Sequence, residues 1–278
     1  TSFRTCERDG ANGRDPGMEY VRIGNCDVSR IVCGTNPILG RSDLSKARME
    51  HYRSHFTDKN VVDLICKCAE YGINTIETSV SDRMFGISDC VERRIGAKMR
   101  MITSTRIDCS SDVKSHTLKC RMGIDRKSEA ILVHDQQASQ KPRNGEIPGL
   151  NRLLDMIHEA GIVAGISCHD ARVVEFCEKH HPSIDVYLFP LNKNNHIYRG
   201  HCNSDSVEDR IDLINGIDKT FIIMKTLGAG RIPPDEALPF VLENIKDGDI
   251  LTIGFGDPLE VEEAMEVYDD FCRGKSTR

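Results

Sequence analysis

Residue types able to hold a metal ion or move a proton fall at the ends of β-branched runs in this sequence. Glu77 lies at the end of "NTIET", His134 at the end of "AILVH", and His169 just after "IVAGIS". If these runs are neighbouring strands, their ends converge. One carboxylate and two imidazoles then form a candidate divalent-metal set, Glu77, His134 and His169, with positions left open for water or substrate. A metal so placed polarises a carbonyl or activates a water. The plainer reading is that His169 caps the next helix or faces solvent, since ligand-type residues often reach strand ends by chance. Lys225, inside the apolar "FIIMKTL", also has two readings. Desolvation would lower its pKa and permit a Schiff base. Pairing with Glu77, as a structural or substrate-binding cation, is favoured because a buried charge without a partner is costly.

The elements that must position these residues are legible as alternating patterns. Strand candidates are "RIVCG", "NTIET", "MITST", "AILVH", "IVAGIS", "DVYLF", "TFIIMK" and "ILTIG". Between them, "DKNVVDLICKCAEYG" places Val61, Leu64, Ile65 and Cys68 on one helical face, and Gly72 supplies the stop. "PGLNRLLDMIHEAG" repeats the pattern with Leu150, Leu153, Leu154 and Ile157, ending at Gly161. "PPDEALPFVLENI" opens with prolines suited to a first helical turn. "DPLEVEEAMEVYDDF" reads as an acidic-faced closing helix. Strands recurring at roughly 30-residue intervals, each followed by a helix, predict an α/β fold of the (β/α)8 TIM-barrel type. An open doubly wound sheet is the alternative, disfavoured because no G-x-G-x-x-G turn follows the first strand. No domain boundary is visible. Residues 1–17 read as a flexible polar tail and 18–278 as the barrel. Two long connections, "NPILGRSDLSKARMEHYRSHFTDKN" and "NKNNHIYRGHCNSDS", would emerge at the C-terminal face, where barrel enzymes build their sites. The first also reads as a helix with a solvated face.

Composition narrows the function classes. The chain has 278 residues, 39% hydrophobic, with a formal net charge of −6. The interspersed charge argues against a nucleic-acid partner, and no apolar run reaches the roughly 18 residues that cross a bilayer. The polar N-terminal stretch has no apolar core of a signal peptide. Twelve cysteines without a C-x-x-C pair, several in apolar surroundings, read as buried thiols of a reducing, cytoplasmic compartment. The expected partner is a small-molecule substrate; the oligomeric state is left open.

The segment "MEYVRIGNCDVSRIVCGTNPILG" resembles the opening of the aldo-keto reductases, in which a short hairpin precedes a first strand ending in Gly-Thr, here Gly34 and Thr35. The likeness continues in order through "AEYGINTIETS", "TSTRI", "ILVHD", "AGISCHD", "IMKTLGAGRI" and "TIGFGDPLEVEEAM". The resemblance implies a barrel with an N-terminal β-hairpin, NADPH-dependent carbonyl reduction, and a catalytic Asp, Tyr, Lys and His. Carried over by position, these become Glu77, Phe85 in "RMFG", Arg106 in "STRI" and His134 in "LVHD". Of the four, only His134 keeps the family's residue. The family's nicotinamide contacts become Ser167, Cys168, Leu188 and Leu191, while "KTLGAG" (Lys225, Leu227, Gly228) keeps a family-like cofactor loop.

A phenyl ring has no proton to give, and general acid catalysis is typically worth about 10²–10⁴-fold. Three functions therefore stand as expectations. The leading one is non-reductive chemistry, with or without a metal, on a small polar carbonyl or polyol. The second is a weak NADPH-dependent carbonyl reductase in which His134 or water supplies the proton. The third is a non-catalytic nucleotide-binding barrel.

Overall fold

A computed structural model describes residues 17–105, 113–134, 147, 149–197 and 205–276. The chain opens with an antiparallel hairpin, β1 (Tyr20–Ile23) and β2 (Cys26–Ser29), whose turn uses Gly24 at φ +53°. Eight parallel strands then close a barrel: β3 (Ile31–Gly34), β4 (Thr75–Ser79), β5 (Arg100–Ser104), β6 (Ala130–His134), β7 (Val163–Ser167), β8 (Val186–Pro190), β9 (Thr220–Met224) and β10 (Ile250–Gly254). β10 pairs with β3 to complete the ring. All eight coincide with the runs expected from the sequence, and the architecture is the (β/α)8 barrel with an N-terminal hairpin.

Each strand sends alternate side chains to opposite faces. Val32, Ile102, Ala130, Leu132, Val186, Leu188, Ile222 and Ile250 form one interior cluster. Val21, Ile23 and Val28 of the hairpin join that cluster. The hairpin is tied to the N-terminal strand ends: Asn74 Oδ1 accepts the Ser29 N–H at 2.9 Å, and Arg100 Nε donates to Asp27 O at 2.9 Å. It therefore plugs the bottom of the barrel.

The intervening strand residues, among them Cys33, Ile76, Val133, Ile166, Phe189, Phe221 and Ile253, pack outward against the helices. These are α1 (Lys46–His55), α2 (Asp58–Glu70), α3 (Asp82–Ile95), α4 (Val113–Asp125), α5 (Leu150–Glu159), α6 (Ala171–His180), α7 (Val207–Gly216), α8 (Pro234–Asn244) and α9 (Pro258–Ser276). α2 starts where the Thr57 side chain accepts the Asn60 N–H and buries Val61, Leu64, Ile65 and Cys68. α5 buries Leu150, Leu153, Leu154 and Ile157. The chain leaves these two helices through Gly72 and Gly161 at φ +80° and +72°, a region that costs glycine nothing. α1 differs: it buries no residue along its length. The cysteines among the described residues are free thiols, most of them buried, although Cys90 is exposed. No helix among the described residues is long and apolar enough to cross a membrane.

Gly165 marks the tightest point of the wall. A Cβ there would lie 2.6 Å from Leu132 Cδ2, Val186 Cγ2 and the Val186 carbonyl oxygen. Since that oxygen belongs to the barrel backbone, Gly165→Ala is expected to destabilise the fold by about 1–3 kcal/mol. Urea denaturation of the variant beside the parent chain measures it.

Candidate functional site

The register fixes which side chains share the inner face at the C-terminal mouth. Glu77 pairs with Ile102, Ser79 with Ser104, and His134 with Ser167. Because Ile102 points inward, Glu77 and Ser79 do too, whereas Ile76 points into the helix layer. Ser79, Ser104, His134 and Ser167 thus form a polar tier above the apolar interior, with Glu77 inward but lower on β4. Arg41, from the β3–α1 connection, reaches this tier and donates from Nη1 to Ser79 Oγ at 3.3 Å.

His134 is 8% exposed and is held by its backbone. Its N–H donates to Thr105 Oγ1 at 3.2 Å, and that hydroxyl bonds His116 Nδ1 at 2.7 Å. His116 is fully buried on α4. The relay ties the end of β6 to the helix behind β5. The His134 and His169 rings lie 6.1 Å apart between centroids, tilted at 53° to each other. Arg210, buried on α7, donates to the His169 carbonyl and the Pro190 carbonyl, both at 3.1 Å, and pairs with Asp205 at 2.6 Å. Burial lowers its pKa, and Asp205 opposes that shift.

Four sequence expectations change here. The metal set does not assemble. Among the described residues no three His, Cys, Asp or Glu side chains form a group able to hold a metal ion. Glu77 registers with Ile102 and through it with Ala130, whereas His134 stands at the far end of the same β6 (Ala130–His134). The stagger that closes the barrel separates residues that strand ends alone seemed to unite.

Phe85 is not at the mouth. The Ser81 hydroxyl caps α3 by accepting the Met84 N–H, so Phe85 falls in the first helical turn with Met84, Ser88 and Val91 on the buried face. Its ring is 3% exposed, in the outer cluster, and 5.1 Å from the Arg126 guanidinium carbon. Lys225 pairs with Asp43 rather than Glu77. Cys168 and Leu191 belong to the outer cluster, while Leu188 faces inward. Arg106 lies outside the described residues.

Sequence reasoning missed Asp43, Arg231 and His196, which surround Lys225. Arg231 donates from Nη2 to the Asp43 carbonyl at 2.8 Å and from Nη1 to the Gly228 carbonyl at 3.1 Å. The Leu227 carbonyl accepts the N–H groups of Gly230, Arg231 and Ile232 at 2.9, 3.0 and 3.2 Å, which coils the loop tightly. Gly228 sits at φ +55°. Burial, then the Arg231 and Lys225 charges, hold the His196 imidazole below its usual pKa against the opposing pull of Asp43. Only one signal pointed to Asp43 and Arg41: charged residues directly after Gly40 in a long connection at the expected mouth. His181, by contrast, is structural, buried and bonded through Nδ1 to Asn151 Oδ1 at 2.6 Å.

No protein-family model matches the chain, and no curated protein matches it in sequence. Solved structures do match in shape. A Pseudomonas aeruginosa protein assigned to the aldo-keto reductases superposes with a TM-score of 0.61 at 18% identity, covering 90% of this chain and 95% of that one. An aldo-keto reductase from Bacillus halodurans in its holo form gives 0.62 at 10% identity, covering 91% of each chain. One from Klebsiella pneumoniae, solved with NADP and acetate, gives 0.57 at 13%, covering 90% and 89%. The fold is that of the aldo-keto reductases. Identities this low carry the fold and nothing finer.

Within an aldo-keto-reductase fold, a dinucleotide needs cations for its phosphates and polar contacts for its carboxamide. Lys225 and Arg231 are cations that would serve the phosphates, and the buried Oγ1 of Thr226, next in the chain to Lys225, has no hydrogen-bond partner among the described residues. Ser167, inward and polar beside apolar Leu188, is the group that would meet the carboxamide. The charges on the loop would suit phosphates, whereas the inner face offers a carboxamide fewer polar contacts.

Thr105→Val keeps the shape but removes the oxygen that joins the His134 amide to His116. Two buried groups lose a partner, which costs about 1–3 kcal/mol each. A loss of stability in that range is expected on chemical denaturation. Thr105→Ser should recover most of it.

Proposed function

We propose that this chain is a divergent aldo-keto reductase that reduces a small carbonyl compound with a nicotinamide dinucleotide. The observation that carries the reading is His134, fixed by its backbone at the barrel mouth beside inward serines. The likeness of fold to reductases, one of them solved with NADP, supports it. The free buried thiols fit the cytoplasmic placement that belongs to this reading.

When bound, the dinucleotide supplies the hydride. The chain's own residues do the rest. Lys225, Arg231 and the Thr226 hydroxyl would hold the phosphates, with Leu227 and Gly228 shaping the loop around them, and Ser167 would orient the carboxamide. The apolar tier around Leu188 excludes water beneath the reacting carbon. His134 would hand a proton to the carbonyl oxygen, the task that a tyrosine performs in the resembling family. Ser79, oriented by Arg41, would hold the polar part of the substrate, and Glu77 would balance charge below it.

The test is dinucleotide oxidation by purified protein with a panel of aldehydes. Turnover is expected, and His134→Gln should lower kcat by about 10²-fold or more while leaving dinucleotide affinity close to that of the parent. Phe85→Tyr should give no gain, because a hydroxyl at that place enters the helix layer beside Arg126. Dinucleotide binding without turnover on any carbonyl would leave a nucleotide-binding barrel in place of the reductase.

A further inference from the structure

α1 is capped by the Ser45 side chain and buries no residue along its length. Its contacts with the barrel are few. Tyr52 lies where a Cβ on Gly256 would come within 2.9 Å of Cε1, so the helix rests on the loop after β10, and the Arg53 stem covers Gly40 in the same way. The residue that follows the helix, Phe56, is buried, and its carbonyl accepts from Arg83 Nη2 at 3.0 Å. The last turn of α1 is therefore held at the C-terminal rim with one side open to water.

His51 and His55 stand in that last turn. Positions four apart lie one above the other on a helix. The two rings stack, with centroids 5.6 Å apart and planes at 19°. His51 is exposed; His55 is half-buried, edge-on to the Phe56 ring at 5.0 Å and 81°. Metal–nitrogen bonds of roughly 2.0–2.1 Å set the centroids of two imidazoles on one ion about 5 Å apart. A small side-chain rotation thus brings both rings onto a shared ion. The helix's arginines are otherwise engaged: Arg48 lies 5.8 Å over the Tyr52 ring, and Arg53 pairs with Glu50 at 2.8 Å. The negative pole of the helix, at this same end, favours a cation.

We propose that His51 and His55 form an open two-histidine site for a nitrogen-seeking divalent cation of the zinc, nickel and copper class, with water completing its coordination. Magnesium and calcium prefer oxygen donors and do not suit it. The site is distinct from the inner set of Glu77, His134 and His169, which does not assemble. An ion on both rings closes the last turn with bonds that packing does not supply, and so fixes a helix that borders the mouth. None of this depends on the reductase reading.

Zinc chloride, titrated by calorimetry in a non-chelating buffer into the parent chain, His51→Gln, His55→Gln and the double variant, tests it. Circular dichroism checks each fold; His51→Gln, at an exposed position, carries the test if His55→Gln is unstable. The parent should bind one equivalent more than the double variant, since uptake by the exposed Cys90 thiol is common to all four chains. Losing even an outer-shell partner of a metal site costs about 10–100-fold in affinity, so each single substitution should weaken that equivalent by about tenfold or more. Magnesium chloride should give no such equivalent. Arg53, exposed between the two ligands, supplies a local readout: zinc should slow tryptic cleavage after Arg53 in the parent and in neither single variant. Equal zinc uptake by the parent and the double variant, magnesium bound as tightly as zinc, or tryptic protection that survives loss of both rings overturns the proposal.

Discussion

Closing a parallel sheet into a barrel sends every second side chain into one shared interior, and everything else in this protein answers to that constraint. The interior must be filled at one end and chemically open at the other. Val32, Ile102, Ala130, Leu132, Val186, Leu188, Ile222 and Ile250 fill it, and the hairpin's Val21, Ile23 and Val28 seal the base. Each such side chain taken from water contributes on the order of 1.5–3 kcal/mol before the entropy of ordering it is counted. The polar tier of Ser79, Ser104, His134 and Ser167 stands on that packed layer, with Glu77 just beneath it. Its residues are rigid because the strands beneath them cannot shift without opening voids.

Most of the fold was legible because its signals are local. β-branched runs mark all eight barrel strands, and the apolar faces of α2 and α5 follow a helical period that ends at Gly72 and Gly161. The site was less legible because its determinants are not local. A spacing comparison set Phe85 where a catalytic tyrosine would stand, but the Ser81 cap begins α3 early and carries the ring into the helix layer. Strand ends united Glu77 with His134, although register separates them. The partner of Lys225 is 182 residues away along the chain, a separation no local pattern encodes.

The rim is organised by arginines more than by apolar contacts. Arg210 is 1% exposed, stacks 4.9 Å from the Phe189 ring centroid, and joins the carbonyls after β7 and β8. Removing a charge from water this completely is expensive, and a single carboxylate, Asp205, offsets part of the cost. In return, the backbone of His169 is fixed opposite His134. An apolar side chain of similar volume would pack there as well, but it could not hold two carbonyls at a chosen place. The benefit is geometric rather than energetic.

The two halves of the mouth therefore differ in kind. On the β4–β8 side, His134, Thr105, His116 and Arg210 are buried and hydrogen-bonded, so their positions barely depend on solvent or ligand. On the β9 side, Lys225, Arg231 and Asp43 are partly exposed, and their attraction is weakened by water and salt. A rigid half suits a group that must meet a reacting atom within a few tenths of an ångström. A half held by exchangeable ion pairs suits a ligand that must enter and leave. Local unfolding free energies are lowest where buried apolar contacts are few, and α1 has none of its residues buried. By that measure α1 is the element of the mouth least held by packing, while His134 and Arg210 are among the most buried.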